Sequence, residues 1–364
     1  MATKNRYTTI YASFREDILN GKYSLGSLLP PENDVAEQMN VSRPTIAKVY
    51  NTLQNEGYIY KKPGFGTTVI YSKDKKKYTF GLLLPGSSET EIFRIINDQF
   101  LSLGKEKDFV CLWEGTVANN AEVRKEMIKK VCHHYLEKNV DGIFFSPLER
   151  TEKANVLNEE ICDLFDSKKI PVVLIDRDIY LFPNRSKYDL VGIDNYQAGY
   201  VMAQHLIKAG CTNIHFFCRR DSAATTNMRI AGCEAAALKA GIKFDKDSVF
   251  EGEPNNTALV RKIPIVKGKT GIVCSNDSIA AVLMSSLTDN GYKIGQDLVI
   301  SGIDDMKYAK HLQVPLTTYR QPVQEIGRVS VEVMLNRLQN INSEVALTVA
   351  LSGKLVVRES SRFK

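Results

Sequence analysis

The chain has 364 residues, 43% of them hydrophobic and 25% charged. That balance is ordinary for a globular protein and excludes a disordered, collagenous or coiled-coil chain, while the length suggests two or three domains of ~100–200 residues each. The net charge of +6 is mild but uneven: residues 1–78 hold 12 basic and 7 acidic side chains, and residues 79–364 hold 36 and 35. A basic fifth on a neutral remainder suggests a small module that faces phosphate and a larger one with other work.

From Tyr7 to Asn20 the apolar residues Tyr7, Ile10, Tyr11, Phe14 and Ile18 have helical spacing, and Gly21 stands where such a helix would end. A short second helix is predicted over Asp34–Met39, with Val35 and Met39 turned inward. Ser42 is placed to cap a third helix running to Asn55, with Pro44 in its first turn and Ile46, Val49, Tyr50 and Leu53 on its buried face. Two β-prone segments, Tyr58–Lys61 and Thr67–Ile70, flank the hairpin loop Lys62–Gly66. Helix, helix–turn–helix and hairpin follow one another as in a winged helix–turn–helix.

The Lys-rich run 72–77 has no apolar content and reads as a linker. The boundaries are therefore set at 1–72 for a DNA-binding head, 73–78 for a basic linker and 79–364 for the remainder. Lys73, Lys75, Lys76 and Lys77 lie in that linker, so much of the excess positive charge sits outside the folded head.

From Tyr78 on, short, continuously apolar segments recur: Phe80–Leu84, Gly142–Phe145, Val172–Ile175, Val191–Ile193, Ile214–Cys218, Gly271–Cys274 and Leu298–Ile303. Strands without polar alternation are buried on both faces, as in parallel sheets. Helical stretches such as Gly199–Ala209 and Ile279–Asn290 lie between them, which predicts an α/β, doubly wound body of two similar halves with a cleft between.

No apolar run approaches the ~18 residues of a membrane span, and the polar start of the chain does not resemble an export signal, so a cytoplasmic protein is expected. The seven cysteines include no C-x-x-C pair, which argues against a disulfide framework or zinc knuckle. Cys132-His133-His134 looks like a metal cluster, but adjacent histidines diverge on a helix and no acidic partner is evident in the sequence. With no nucleophile elbow, phosphate loop or H-E-x-x-H, an enzyme with a DNA-binding head is the weaker alternative, and no cofactor or metal is expected.

Chemistry concentrates in two places. The third predicted helix exposes Arg43, Thr45 and Lys48 near the end that a recognition helix presents to base edges, beside Ser42. Arg can grip guanine O6 and N7, while Thr or Lys can contact phosphate. In the body, Asp176, Arg177, Asn276 and Asp304 fall at the carboxyl ends of predicted strands, where open α/β sheets hold their ligands. Their planar, directional hydrogen bonds suit sugar hydroxyls. Asp176 and Arg177 could equally pair with each other, and Asp194 and Asp277 read as helix caps. Phe93, Trp113, Tyr180, Phe182 and Tyr308 are candidates for an apolar sugar face, and Ser88 or Glu89 in the loop after the first strand could bond a hydroxyl.

Residues 6–71 resemble the DNA-binding domain of the GntR family through Gly26-Ser27-Leu28-Leu29-Pro30-Pro31-Glu32-Asn33, Val41-Ser42-Arg43-Pro44-Thr45-Ile46, Leu53–Tyr58 and Gly64-Phe65-Gly66-Thr67. The resemblance implies base contact from Arg43 and wing-tip contact near Gly64. It departs at Asn33 and Ala47, where many relatives carry Arg. Residues 79–364 are similar to the LacI-type effector domain, built like periplasmic sugar-binding proteins. The similarity rests on Phe80–Pro85, Ile170–Arg177, Val191–Asn195, His205–Gly210, Cys274–Ala280, Ser301–Asp305 and Leu316–Pro322.

That second resemblance implies that Arg229, in Asn227-Met228-Arg229-Ile230-Ala231-Gly232, contacts the ligand and that His205 is structural. A GntR head on such a body resembles a subgroup of regulators that respond to arabinose. It implies a transcriptional regulator, most often a repressor, acting as a homodimer on a pseudo-palindromic operator in double-stranded DNA. A sugar effector such as arabinose or fucose would enter the cleft, with its identity and the direction of its effect left open.

Overall fold

The computed structural model describes residues 2–62, 66–71, 77–85, 91–114, 121–149, 154–220, 222, 224–339 and 345–364. The chain divides into two compact units, Met1–Lys77 and Tyr78–Lys364. Of the basic run before the second unit, residues 72–76 lie outside the described residues.

The first unit contains α1 (Ala2–Leu19), β1 (Leu28–Leu29), α2 (Glu32–Gln38), α3 (Arg43–Asn55), β2 (Ile59–Lys62) and β3 (Gly66–Val69). Ile10, Phe14 and Ile18 of α1 meet Ile46, Val49, Tyr50 and Leu53 of α3 and the strand residues Ile59 and Val69 in one core. The Tyr50 hydroxyl donates to the Pro30 carbonyl at 2.9 Å, so this buried ring keeps its polar end satisfied. The strands form an antiparallel sheet in the order β1-β3-β2.

Met39 does not turn inward as predicted. α2 stops at Gln38, Asn40 adopts a left-handed φ of 50°, and Met39 is left 43% exposed on the turn. Ser42 does occupy the N-cap of α3, but its hydroxyl pairs with Thr45 Oγ1 at 2.9 Å instead of capping a backbone N–H.

The second unit has two lobes. The first is an all-parallel sheet in the order β14-β8-β7-β6-β4-β5, made from β4 (Tyr78–Leu83), β5 (Phe109–Trp113), β6 (Gly142–Phe145), β7 (Val172–Ile175), β8 (Asp189–Ile193) and β14 (Thr348–Leu351). Its helices include α4 (Glu91–Lys107), α5 (Ala121–Glu137), α6 (Ala154–Asp166) and α11 (Val323–Leu338), the last packed on α4, β7 and β8. The second lobe orders its strands β10-β9-β11-β12-β13-β15, from β9 (Asn213–Cys218), β10 (Val249–Glu251), β11 (Thr270–Cys274), β12 (Leu298–Asp304), β13 (Thr317–Arg320) and β15 (Lys354–Val356). Only the β13–β15 pairing in it is antiparallel. Its helices are α7 (Asn195–Lys208), α8 (Ala224–Lys239), the short α9 (Thr257–Val260) and α10 (Asp277–Asp289).

The central strands β6, β7, β9, β11 and β12 are the apolar runs read from the sequence. The edge strands β5, β10 and β14 are partly exposed, although β5 (Phe109-Val110-Cys111-Leu112-Trp113) is apolar throughout.

The chain passes between the lobes three times: from β8 into α7, from β13 into α11 and from β14 into β15. These crossings lie side by side. Asp194 N donates to the Leu351 carbonyl at 3.1 Å, joining the first to the third. Gly353 packs so tightly on the second that an added Cβ would stand 2.3 Å from the Arg320 carbonyl oxygen.

Candidate functional site: the interlobe cavity and the recognition helix

Strand ends from the first lobe and strand and helix ends from the second enclose a small polar cavity of about 80 Å³. Asp176 follows β7 and Asp304 ends β12, both with left-handed backbone, at φ 72° and 123°. Non-glycine residues hold that conformation only when their surroundings impose it, and such positions cluster at functional sites. Gly192 of β8 allows it for Asp176, because a Cβ there would meet the Asp176 carbonyl oxygen at 2.9 Å.

Arg177 sits 6% exposed. Its Nη1 lies 2.6 Å from Glu149 Oε2, its Nε donates to Asp176 Oδ2 at 3.1 Å, and the guanidinium lies 5.8 Å from the Phe93 ring centre. Arg229 enters from α8. It donates from Nε to Asn195 Oδ1 at 2.8 Å and from Nη1 to the Ser275 carbonyl at 2.5 Å. Its position is set by backbone packing of α7 on α8: a Cβ on Gly199 would fall 1.9 Å from the Arg229 carbonyl oxygen, and one on Gly232 2.0 Å from that of Tyr196.

Asn276 caps α10, its Oδ1 accepting from Ile279 N at 2.9 Å, which leaves its NH2 as the part available to a ligand. Gln321, in the second crossing, donates to Asp304 Oδ1 at 2.7 Å, while its own Oε1 is buried with no hydrogen-bond partner. Burial pushes the Asp304 carboxyl up to about 7, against the opposing pull of the Arg229 charge and the Gln321 hydrogen bond.

Phe93, Asp176, Arg177, Arg229, Asn276 and Asp304 thus line one cavity. Ser88 and Glu89 lie outside the described residues. Asp176 and Arg177 do pair with each other, and do so within the cavity wall. Asp194 caps α7 by accepting from Gln197 N at 2.8 Å. Asp277 does not cap α10; Asn276 takes that place. Asp277 is fully buried, accepts from Thr318 Oγ1 at 2.6 Å and Met306 N at 2.8 Å, and burial raises its carboxyl well above the usual range.

Trp113 is 39% exposed on edge strand β5, and Tyr308 is exposed in the turn Lys307–His311, so neither lines this cavity. Sequence reading overlooked Ile92, Glu149, Ser222, Thr225, Thr226, Ser275 and Gln321 in its wall. Glu149 lies four residues past the end of β6, whereas Asp176 directly follows β7, so the strand-end rule does not reach it.

Across the lobes, Glu91 of α4 accepts from Lys307 twice: Nζ lies 3.1 Å from Oε1, and the backbone N donates to Oε2 at 3.2 Å. His205 meets Ser361 Oγ at 2.8 Å. His134 pairs with Glu114, an acidic partner that the sequence did not reveal. No group of three metal-binding side chains occurs among the described residues, and no described helix is long and apolar enough to cross a membrane.

In the first unit, α3 begins with Arg43, whose side chain is 68% exposed and lies 3.5 Å from Glu32 Oε2. Lys61 Nζ holds the other oxygen of Glu32 at 2.7 Å. The Lys48 ammonium lies 5.3 Å from the Tyr7 ring centre on α1. Thr45 is partly exposed and bonded to Ser42, and Asn33 is exposed on α2. Gly64 lies outside the described residues.

Residues 6–69 match the bacterial regulatory proteins of the gntR family, and residues 203–361 match the periplasmic binding protein-like domain. The chain carries a GntR-type DNA-binding head and a periplasmic-binding-protein-like body. The chain is 23% identical to an arabinose metabolism transcriptional repressor of Geobacillus stearothermophilus over 99% of its own length and 98% of the relative's. It is 30% identical to the transcriptional repressor PurR of Vibrio campbellii over 62% of its length and 65% of that protein's, so it spans just under two thirds of such relatives. Its fold matches a LacI family transcriptional regulator from Enterococcus faecium, solved with bound ribose, with a TM-score of 0.62 and 21% identity over 78% of this chain and 98% of that one. These relatives are named as regulators, not as enzymes.

Proposed function

We propose that this regulator represses sugar-utilisation genes and that a monosaccharide, such as arabinose or fucose, releases it from its operator. In this reading residues 1–72 form the DNA-binding head, 73–78 a basic tether and 79–364 the effector-binding and dimerisation body. Arg43, Thr45 and Ser42 at the start of α3, with Lys48, Asn33 and the wing near Gly64, address double-stranded DNA. A homodimer in the cytoplasm spans the two halves of a pseudo-palindromic site. Support for pairing comes from β5, an edge strand that exposes Val110 and Trp113.

The observation that carries the sugar reading is the cavity's chemistry. Two arginines, two aspartates and an asparagine converge there, and Gln321 adds a buried acceptor with no donor of its own. A buried, unsatisfied oxygen is costly and is relieved by a ligand hydroxyl. The name of the Geobacillus relative and the ribose in the Enterococcus structure agree with that chemistry. Ser88 and Glu89 join the proposed ligand set with Phe93, Asp176, Arg177, Arg229, Asn276 and Asp304.

A ligand shifts the protein only through different affinities for its two states. Saturating sugar should therefore weaken operator binding by ~5–150-fold in mobility shifts, the usual coupling range. Unchanged operator affinity across arabinose, fucose, ribose and glucose overturns the proposal, and strengthened binding reassigns the sugar as a corepressor.

A further inference from the structure

A second cavity, of about 380 Å³, lies against the crossings between the lobes. The first lobe contributes the loop after β7, the strand β8 and Thr348, Val349 and Ala350 of β14. The second lobe contributes Thr225 and Met228 of α8, and the first crossing contributes Asp194 and Asn195. Tyr180 and Phe182, expected at the face of a sugar, line this cavity and not the polar one.

Every charged side chain in these walls already has a partner. Asp176 accepts from Arg177, Asp178 pairs with Arg185, and Asp194 accepts from Gln197 N. Arg185 also donates to Thr348 Oγ1 at 2.7 Å, which ties the loop to β14. An occupant therefore meets aromatic and aliphatic surface, from Tyr180, Phe182, Leu190, Ile193, Met228 and Val349, with no free charge to hold it. A charged molecule would lose its water there without compensation, whereas a neutral aromatic ring loses little. An apolar cavity of roughly 150 Å³ takes one benzene, so this one suits a fused pair of rings.

The cavity is placed to influence the lobes. Its walls come from both, so its volume depends on how they are set, and an occupant favours the arrangement that contains it. Asn195 in its wall accepts from Nε of Arg229, a residue of the polar cavity, at 2.8 Å.

We propose that this cavity at the crossings is a second effector site, which takes a small neutral aromatic molecule independently of any sugar in the polar cavity. The site goes beyond the sugar reading and does not depend on it.

The test is fluorescence titration of the full-length protein with 2-naphthol, beside the anion naphthalene-2-carboxylate. Naphthol should bind saturably at one site per chain, and the carboxylate at least ~10-fold more weakly. Ala350→Trp, at an exposed position of β14 that lines the cavity, should weaken naphthol binding by at least ~10-fold. Phe182→Ala, a truncation at a side chain that is 46% exposed, should weaken it by about 3-fold without disturbing the fold. Saturating naphthol should change operator affinity by at least ~5-fold in mobility shifts, within the usual coupling range, and Ala350→Trp should erase that change.

No saturable naphthol binding, binding that survives both variants, or competitive displacement of naphthol by arabinose, fucose, ribose or glucose overturns the site. Naphthol binding that leaves operator affinity unchanged overturns its role as an effector site. Naphthol binding with the expected operator change, in a protein that binds none of these sugars, supports this site and removes only the sugar reading.

Discussion

The two units use arginine in opposite ways. In the head, Arg43 is 68% exposed and touches Glu32 only at 3.5 Å; in the body, Arg177 and Arg229 are each 6% exposed and held by neighbouring oxygens. An exposed cation retains its water until a partner that carries its own charge arrives, and it contributes little to folding meanwhile. A buried cation must be neutralised within the fold, so its surroundings are fixed before any ligand enters. The head is therefore tolerant and the cavity preorganised, and each side of that contrast can be broken by experiment.

The largest effect should come from Arg177→Ala, which leaves Glu149 and Asp176 facing each other without their shared cation. Loss of one partner from a buried pair costs ~3–5 kcal/mol. A denaturant unfolding shift below about 1 kcal/mol would mean that the cavity is not preorganised in the sense argued.

Next comes the pH response of Asp304. Its folded carboxyl titrates near 7, above the ~3.9 of an unfolded aspartate, so between those values the folded state binds more protons. Stability should then fall as pH rises through that window, by up to ~1.4 kcal/mol per unit. Asp304→Asn should flatten the profile relative to the parent, whereas two parallel profiles would show an ordinary carboxyl.

In the head, Arg43→Ala should cost ~1–3 kcal/mol on the operator, with a smaller loss on random DNA. Its unfolding free energy should stay within ~0.5 kcal/mol of the parent. Equal losses on both DNAs would make Arg43 a phosphate contact. The smallest change is expected at the interlobe pair: Lys307 is 77% exposed, so Lys307→Met should alter sugar affinity by less than about 5-fold, in keeping with ~0.2–1 kcal/mol for such pairs. A larger change would make that pair a latch.

What the sequence disclosed follows the physics of each position. Central strands such as β7 and β11 are buried on both faces, so their apolar runs are unmistakable, and a residue just past one, Asp176 or Asn276, inherits its address from the strand. Glu149 and Gln321 stand in loops with no periodic signal, and only the folded chain brings them to the cavity. Asp277 shows the limit of local rules: Asn276 and Asp277 both suit a helix start, and packing against Thr318 and Met306 decided which was buried. Met39 matches a helical period that ended one residue too soon.

The three crossings also bear on synthesis. Strand β14, residues 348–351, completes the first lobe's sheet by pairing with β8, residues 189–193. Until residues 194–347 have left the ribosome, the β8 edge has no neighbour on that side, and Asp189 lacks the Arg337 guanidinium that meets it at 2.6 and 2.7 Å. The nascent first lobe therefore waits with an open sheet edge while the whole core of the second is made, a period in which chaperone protection matters most.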